Sequence, residues 1–364
     1  MEDKLILALC LSALFVVVLS KLVSSAVKPR LNLPPGPWTL PLIGSLHHLA
    51  MTKSPQTHRS LRALSEKHGP IMQLWMGEVP AVVVSSPAVA EEVLKNQDLR
   101  FADRHLTATT EEIFFGGRDV IFGPYGERWR HLRKICMQEL LTAARVRSFR
   151  GVREGEVARL VRASETSPTV LIWTLAELMR NPRIMAKAQA EVRQAVAGKT
   201  TITEDDIVGL SYLKMVIKET LRLHPPAPLL NPRKCRETSQ VMGYDIPKGT
   251  SVFVNMWAIC RDSRYWEDPE EYKPERFENN SVDYKGNNFE FLPFGSGRRI
   301  CPGINLGVAN LELPLASLLY HFDWKLPNGM APKDLDMHET SGMVAAKLIT
   351  LNICPITHIA PSSA

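Results

Sequence analysis

The sequence predicts a mostly α-helical domain of the α+β class, and three observations carry that expectation. Several long stretches read as helices with recognisable start and stop residues, while runs of β-branched residues are few and short. The 364 residues, 45% of them hydrophobic, can bury a large core in one big domain or two. No internal repeat or low-complexity tract is present.

From the N-terminus, residues 5–20 carry no charge, and the apolar character resumes from Leu22 to Val27. A span of about 20 residues crosses a bilayer core, so residues 1–28 read as an uncleaved membrane anchor, with Lys21 able to snorkel. Lys21, Lys28 and Arg30 follow this span and Glu2 and Asp3 precede it, which leaves the bulk of the chain in the cytosol. The six cysteines (Cys10, Cys136, Cys235, Cys260, Cys301, Cys354) then face membrane or a reducing compartment, and no disulfide framework is expected. Pro34-Pro35-Gly36-Pro37 makes residues 29–38 a stiff hinge, ahead of a domain over 39–364.

Within that domain, residues 71–75 and 81–85 read as strands around a turn at 77–80, and Ser86-Pro87 caps a helix reaching Leu94. Residues 127–141, 189–196 and 212–224 are expected to be helical, the last stopped by Pro225, and 306–320 is a long apolar helix. Net charge is +6 with a pI near 9.0, which suits an acidic partner or an anionic membrane surface. No aromatic-plus-basic stacking pattern argues for nucleic acid, and the histidines have no metal-ligand spacing.

The most informative stretch is Phe294-Gly-Ser-Gly-Arg-Arg-Ile-Cys-Pro-Gly303. It sets Cys301 on a glycine-lined loop, beside arginine and ahead of a helix start, a setting that lowers a thiol's pKa and favours metal ligation as thiolate. A dinucleotide loop is excluded because Ile300 stands where the third glycine belongs. Phe294, Gly297, Arg299, Cys301 and Gly303 together resemble the haem-binding loop of the cytochrome P450 haem-thiolate monooxygenases, plant microsomal members above all. The resemblance implies the cytochrome P450 fold, haem b with Cys301 as axial iron ligand, and placement in the endoplasmic reticulum membrane.

Other motifs extend it. Glu219 and Arg222 resemble the family's Glu-x-x-Arg, and Pro274-Glu275-Arg276-Phe277 its Pro-x-Arg-Phe, which together imply a buried triad of Glu219, Arg222 and Arg276. Trp129 and Arg133 resemble the family's Trp-x-x-x-Arg; with Arg233 and Arg299 they are implied haem-propionate contacts. Ala163-Ser164-Glu165-Thr166-Ser167 resembles the distal acid–threonine motif, with Glu165 and Thr166 as proton relay, although Arg162 and Ala163 replace the usual small residue and glycine. Residues 101–122, 226–230 and 342–346 are implied pocket walls for a small apolar substrate of plant secondary metabolism.

Arg128, Arg130, Lys134, Arg145 and Arg147 form a basic face suited to NADPH–cytochrome P450 reductase, since nothing in this chain binds nicotinamide or flavin. Arg133 and Thr166 lie too close in sequence for the helices that the family carries between them, which reads as an internal truncation near 150–163. Two functions follow: a monooxygenase using O2 and reductase-supplied electrons, or a catalytically impaired haem-binding or unstable fragment. Isomerisation without O2 is disfavoured by the retained Thr166.

Overall fold

In the computed structural model, the residues described are Ser12, Val16, 31–52, 54–159 and 166–358. The anchor, apart from Ser12 and Val16, and the junction with Arg162, Ala163 and Glu165 lie outside them. No helix among the described residues is long and apolar enough to cross a membrane.

The elements run α1 (Leu46–Ala50), α2 (Thr57–His68), β1 (Ile71–Met76), β2 (Val79–Val84), α3 (Pro87–Glu91), β3 (Asp103–Arg104), α4 (Ala108–Ile113) and α5 (Glu127–Ile135). Then follow α6 (Ala143–Ser148), α7 (Arg150–Arg159), α8 (Thr166–Arg180), α9 (Pro182–Ala195), α10 (Ser211–Leu223), β4 (Arg233–Lys234), β5 (Ser239–Val241) and β6 (Tyr244–Ile246). The chain closes with β7 (Ser251–Val254), α11 (Met256–Ile259), α12 (Ile304–His321), β8 (Phe322–Lys325) and β9 (Cys354–Thr357). The expected strands and helices are all present. Two of the helices end in a π-turn, Glu92–Asn96 after α3 and Cys136–Leu140 after α5.

Local chemistry explains the boundaries. Ser86 Oγ accepts from the Val89 N–H at the start of α3, with Pro87 in the first turn where no intrahelical donor is needed. Pro168 likewise falls in the first turn of α8, so the helix starts at Thr166 without losing a backbone bond. Leu213, Val216, Ile217 and Thr220 bury one face of α10, and His224 ends the helix before Pro225.

Helices α8, α9, α10 and α12 pack on one another and carry the main core, with Trp173, Leu178, Leu213, Leu221 and Leu319 among its buried members. Beside them stands a five-stranded sheet in the order β1-β2-β7-β4-β3, in which β2 and β7 are parallel and the other neighbours antiparallel. Its register places Arg104 opposite Arg233. The proline hinge is clipped to this sheet: the Gln73 N–H donates to Pro35 O at 2.9 Å, and a Cβ on Gly36 would stand 2.1 Å from Gln73 O. Residues 34–37 therefore lie against the edge of the sheet.

The Glu219 carboxylate ties α10 to the segment around Lys273 and Arg276. Its oxygens accept from Arg222 Nε and Nη2, both at 2.8 Å, from Arg276 Nε at 2.9 Å and from the Lys273 N–H at 2.8 Å. Glu219 and Arg222 have no exposed surface. Glu219→Ala would leave two guanidiniums without their carboxylate, and a broken buried pair costs ~3–5 kcal/mol. A drop of that size in urea unfolding is the expected result; an unchanged midpoint contradicts it.

A second buried carboxylate, Glu339, fastens the C-terminal segment to α2. Burial pushes its carboxyl up, but the hydrogen bond from His58 (2.9 Å) and the His58 and Arg59 charges outweigh burial and hold it at about 2. A depressed carboxylate stabilises the fold above its unfolded value of about 4.5 and loses that contribution as pH falls towards 2. Glu339→Gln should lower stability at neutral pH and flatten the acid limb between about pH 4.5 and 2, read by denaturant unfolding across pH.

Candidate functional site

The cysteine loop closes on itself before it meets anything else. The Cys301 N–H donates to Phe294 O at 2.9 Å and Ile300 N–H to Gly297 O at 3.0 Å, and Gly307 N–H to Gly303 O at 2.8 Å begins α12. Gly297 is required twice over: its φ is +67°, and a Cβ there would meet Leu94 O at 2.0 Å. Gly303 is not under that constraint. Its φ is −95°, and a Cβ would make only an ordinary 3.9 Å contact with Cys301 Sγ. Its absence matters instead for access to the sulfur. Phe294 is half-buried, its ring edge-on to Tyr284.

The expectation that the bare thiol is acidic is corrected. Burial pushes the Cys301 thiol up, and the Gly303 N–H and the Arg133 guanidinium, which pull it down, do not offset this. The thiol stays protonated in the free chain, and a metal that takes the sulfur must displace that proton.

Four cationic or N–H donor side chains converge beside the loop. Arg133 Nη2 donates to Ile300 O at 2.6 Å, Arg233 Nη2 to Ser296 O at 2.9 Å, and Arg299 reaches Ala102 O and Gly123 O at 2.8 and 2.6 Å. The Arg299 guanidinium lies 4.1 Å over the Trp129 ring, whose N–H donates to Val120 O at 2.9 Å. So the structure brings Trp129, Arg133, Arg233 and Arg299 together around Cys301. Thr166 opens α8, but its side chain and all of Glu165 lie outside the described residues.

Not all donors of this cluster are used, although Asp98, Asp103 and Asp119 lie near enough to oppose part of its charge. Arg233 Nη1 and Arg299 Nη1 are buried with no hydrogen-bond partner. Burial, followed by mutual repulsion with Arg299, lowers Arg233 to about 9; burial above all lowers Arg299 to about 10, with Arg133 adding to it. Arg104, which the sequence reading missed, is pushed well below its ordinary value by burial and by Arg233 and Arg299. Its guanidinium reaches Pro232 O at 3.2 Å and Asn231 O. His105 beside it has a buried Nδ1 with no partner, and burial and Lys234 push its imidazole down. A buried excess of cation with idle N–H donors fits a dianionic ligand. On the adjoining start of α12, Ile304, Leu306, Val308 and Ala309 are only half-buried, which leaves apolar surface beside the sulfur. A flat apolar group carrying two carboxylates, as haem does, fits both features.

The exposed face of α5 carries Arg128, Arg130, His131 and Lys134 along a shallow groove. Among the described residues no cluster of three or more metal-ligating side chains occurs, and Cys136, Cys235, Cys260, Cys301 and Cys354 are all free thiols.

The pattern of an isolated cysteine, an arginine cluster and a Glu–Arg–Arg triad has a counterpart among known proteins. The cytochrome P450 family model matches residues 34–165 and 160–353, two stretches that meet at the junction. An ent-isokaurene C2/C3-hydroxylase of Oryza sativa subsp. japonica is 69% identical over 515 aligned positions covering 100% of both chains. An ent-cassadiene hydroxylase of the same organism is 62% identical over 516 positions (100% of this chain, 99% of the relative), and a zealexin A1 synthase of Zea mays 46% over 508 positions (100% of both). Alignments of that length against 364 residues are consistent with an internal deletion. On the family match and these identities, the chain belongs to the cytochrome P450 family of haem-dependent monooxygenases.

Proposed function

We propose that this chain binds haem b through Cys301 and hydroxylates a small apolar terpenoid. The observation that carries the reading is the pair of buried, partnerless guanidinium nitrogens on Arg233 and Arg299 beside the cysteine loop. When bound, haem supplies the oxygen-inserting chemistry of the family. The chain's own residues set its terms. Cys301 offers the sulfur ligand, and the Gly303 N–H and the Arg133 charge steady that sulfur once it is anionic. Arg233 and Arg299 take the propionates with their idle donors, and Arg133 and Trp129 turn to them from Ile300 O and Val120 O. Glu165 and Thr166, whose side chains lie outside the described residues, would hold and pass protons to the reacting oxygen.

Electrons come from NADPH through a separate reductase, docked on the basic face of Arg128, Arg130, Lys134, Arg145 and Arg147. All five are exposed, which supports that role. Residues 1–28 hold the chain in the endoplasmic reticulum membrane with its bulk in the cytosol, and the clipped hinge fixes its pose there. The names of the two rice relatives favour a diterpene hydrocarbon as substrate. Residues 101–122, 226–230 and 342–346 wall its site.

A second reading, an impaired haem-binding chain, is favoured by one observation. Large apolar side chains just before the junction, Ile135, Met137, Leu140, Phe149 and Val152, are exposed. Surface of that kind normally lies under other elements. Restoring a relative's middle segment should then raise product formed per NADPH consumed by at least about tenfold in a reductase-coupled assay, or about 1.4 kcal/mol of transition-state stabilisation. Equal coupling by both proteins removes this reading.

The primary test is spectral. The carbonyl complex of the reduced protein should show the thiolate-type Soret band, and Cys301→Ser should abolish it. Persistence of that band in the serine variant contradicts the ligand assignment.

A further inference from the structure

Trp173 is fully buried on α8, and its polar and ring contacts run to Ala345 and His224, outside its own helix. Its N–H donates to Ala345 O at 2.9 Å. Its ring lies flat against His224, with centroids 4.1 Å apart and planes 6° from parallel. His224 Nε2 pairs with Glu177 Oε1 at 2.7 Å, and Glu177 is one turn further along the same helix face as Trp173. The His224 N–H caps α10 on Thr220 O at 2.7 Å, directly before Pro225 and Pro226. The circuit closes when the Ala345 N–H donates to Pro226 O at 3.0 Å.

Both backbone groups of buried Ala345 are thus held, one by α8 and one by the loop after α10. The rest of the 340–346 turn is held only locally, by Thr340 N–H to Ala346 O and the Ala346 N–H to Thr340 Oγ1, and at its edge by Ser341 Oγ to Pro55 O. Gly342 and Met343 at its tip are exposed. Trp173 also stands two turns along α8 from Thr166, about 10 Å along the axis. Trp173 therefore links α8 directly to Ala345, and through the Ala345 N–H to Pro226.

We propose that Trp173, clamped by His224 and Glu177, is a positioning residue that sets where the 342–346 wall stands relative to the 226–230 wall, and so which apolar ligands the site accepts. This rests on the reading above that these two segments are walls of the substrate site. An indole donor aimed at a buried carbonyl fixes the wall's height, whereas the flat stack on His224 fixes the indole's tilt. Loss of the donor leaves Ala345 O buried and unsatisfied, and the turn then moves to find water.

Trp173→Phe keeps the stack and removes the donor, and two readouts follow on the full chain. Amide hydrogen exchange over residues 340–348 should quicken at least tenfold, while α9 and α12 exchange as before; this needs no haem. In the haem-loaded protein, the dissociation constant of 1-phenylimidazole, which touches the walls, should rise at least fivefold. That of imidazole, which reaches the iron without them, should not change. His224→Phe keeps a ring but loses Glu177, and should give smaller effects in the same direction. Unchanged exchange over 340–348, or equal weakening of both azoles, overturns the proposal. A parent chain that takes up no haem contradicts the function proposed above instead, and the exchange result alone then decides the role of Trp173.

Discussion

The Glu219 carboxylate, shared by two guanidiniums, is the interaction on which the cysteine side of the molecule depends. Every donor of Arg222 is used: Nε and Nη2 bond Glu219, Nη1 bonds Cys260 O and Pro269 O, and Nη2 also bonds Glu271 O. Arg276 adds Glu267 O, Asp268 O and Glu271 O to the same group. One end of α10 is thereby fixed to residues 260–276, the stretch that delivers the chain to the cysteine loop. Tyr272 strengthens this knot, because its hydroxyl bonds Thr220 Oγ1 and Val216 O at 2.9 and 3.0 Å. A phenylalanine at that position could make neither bond.

Set beside that knot, the arginines at the site differ in one physical respect. Arg222 is as buried as Arg233, yet all of its donors are spent, while Arg233 and Arg299 each keep a buried nitrogen idle. A buried cation with every donor used is structural, and burying one with donors to spare costs free energy that a ligand can recover. Arg193 Nε is idle as well, so it is the pairing of idle donors beside Cys301, not an idle donor alone, that marks the site. Burial is the largest cause that depresses Arg104, Arg233 and Arg299, and neighbouring guanidiniums add to it: Arg233 and Arg299 on Arg104, Arg299 on Arg233, and Arg133 on Arg299.

The features legible in the sequence were those written in local spacing. The Glu219–Arg222 pair, the Trp129–Arg133 pair and the cysteine loop lie within ten residues, and helix or turn geometry alone brings their members together. What needed the structure was set by distant pairing or burial. Arg104 meets Arg233 only through strand register across the sheet, so nothing in its neighbourhood marked it. The Cys301 thiol was misjudged because the N–H and the arginine that lower its pKa are visible in sequence, whereas the burial that outweighs them is not. The hinge at 34–37 announced its stiffness through proline, but its bond to Gln73 depends on where β1 runs. Gly297 answers to a constraint that its own loop does not reveal, the close approach of Leu94 O.

The central claim is that the arginine cluster exists to hold two carboxylates. The direct measurement is titration of the haem-free chain with haem and with haem dimethyl ester, whose propionates carry no charge, following the Soret band to obtain both dissociation constants. Free haem should bind at least a hundredfold more tightly than the ester, about 2.7 kcal/mol at 25 °C. The gap should narrow in Arg233→Gln and Arg299→Gln. Equal affinity for the two ligands would contradict the account, because Cys301 and the apolar surface alone would then explain binding.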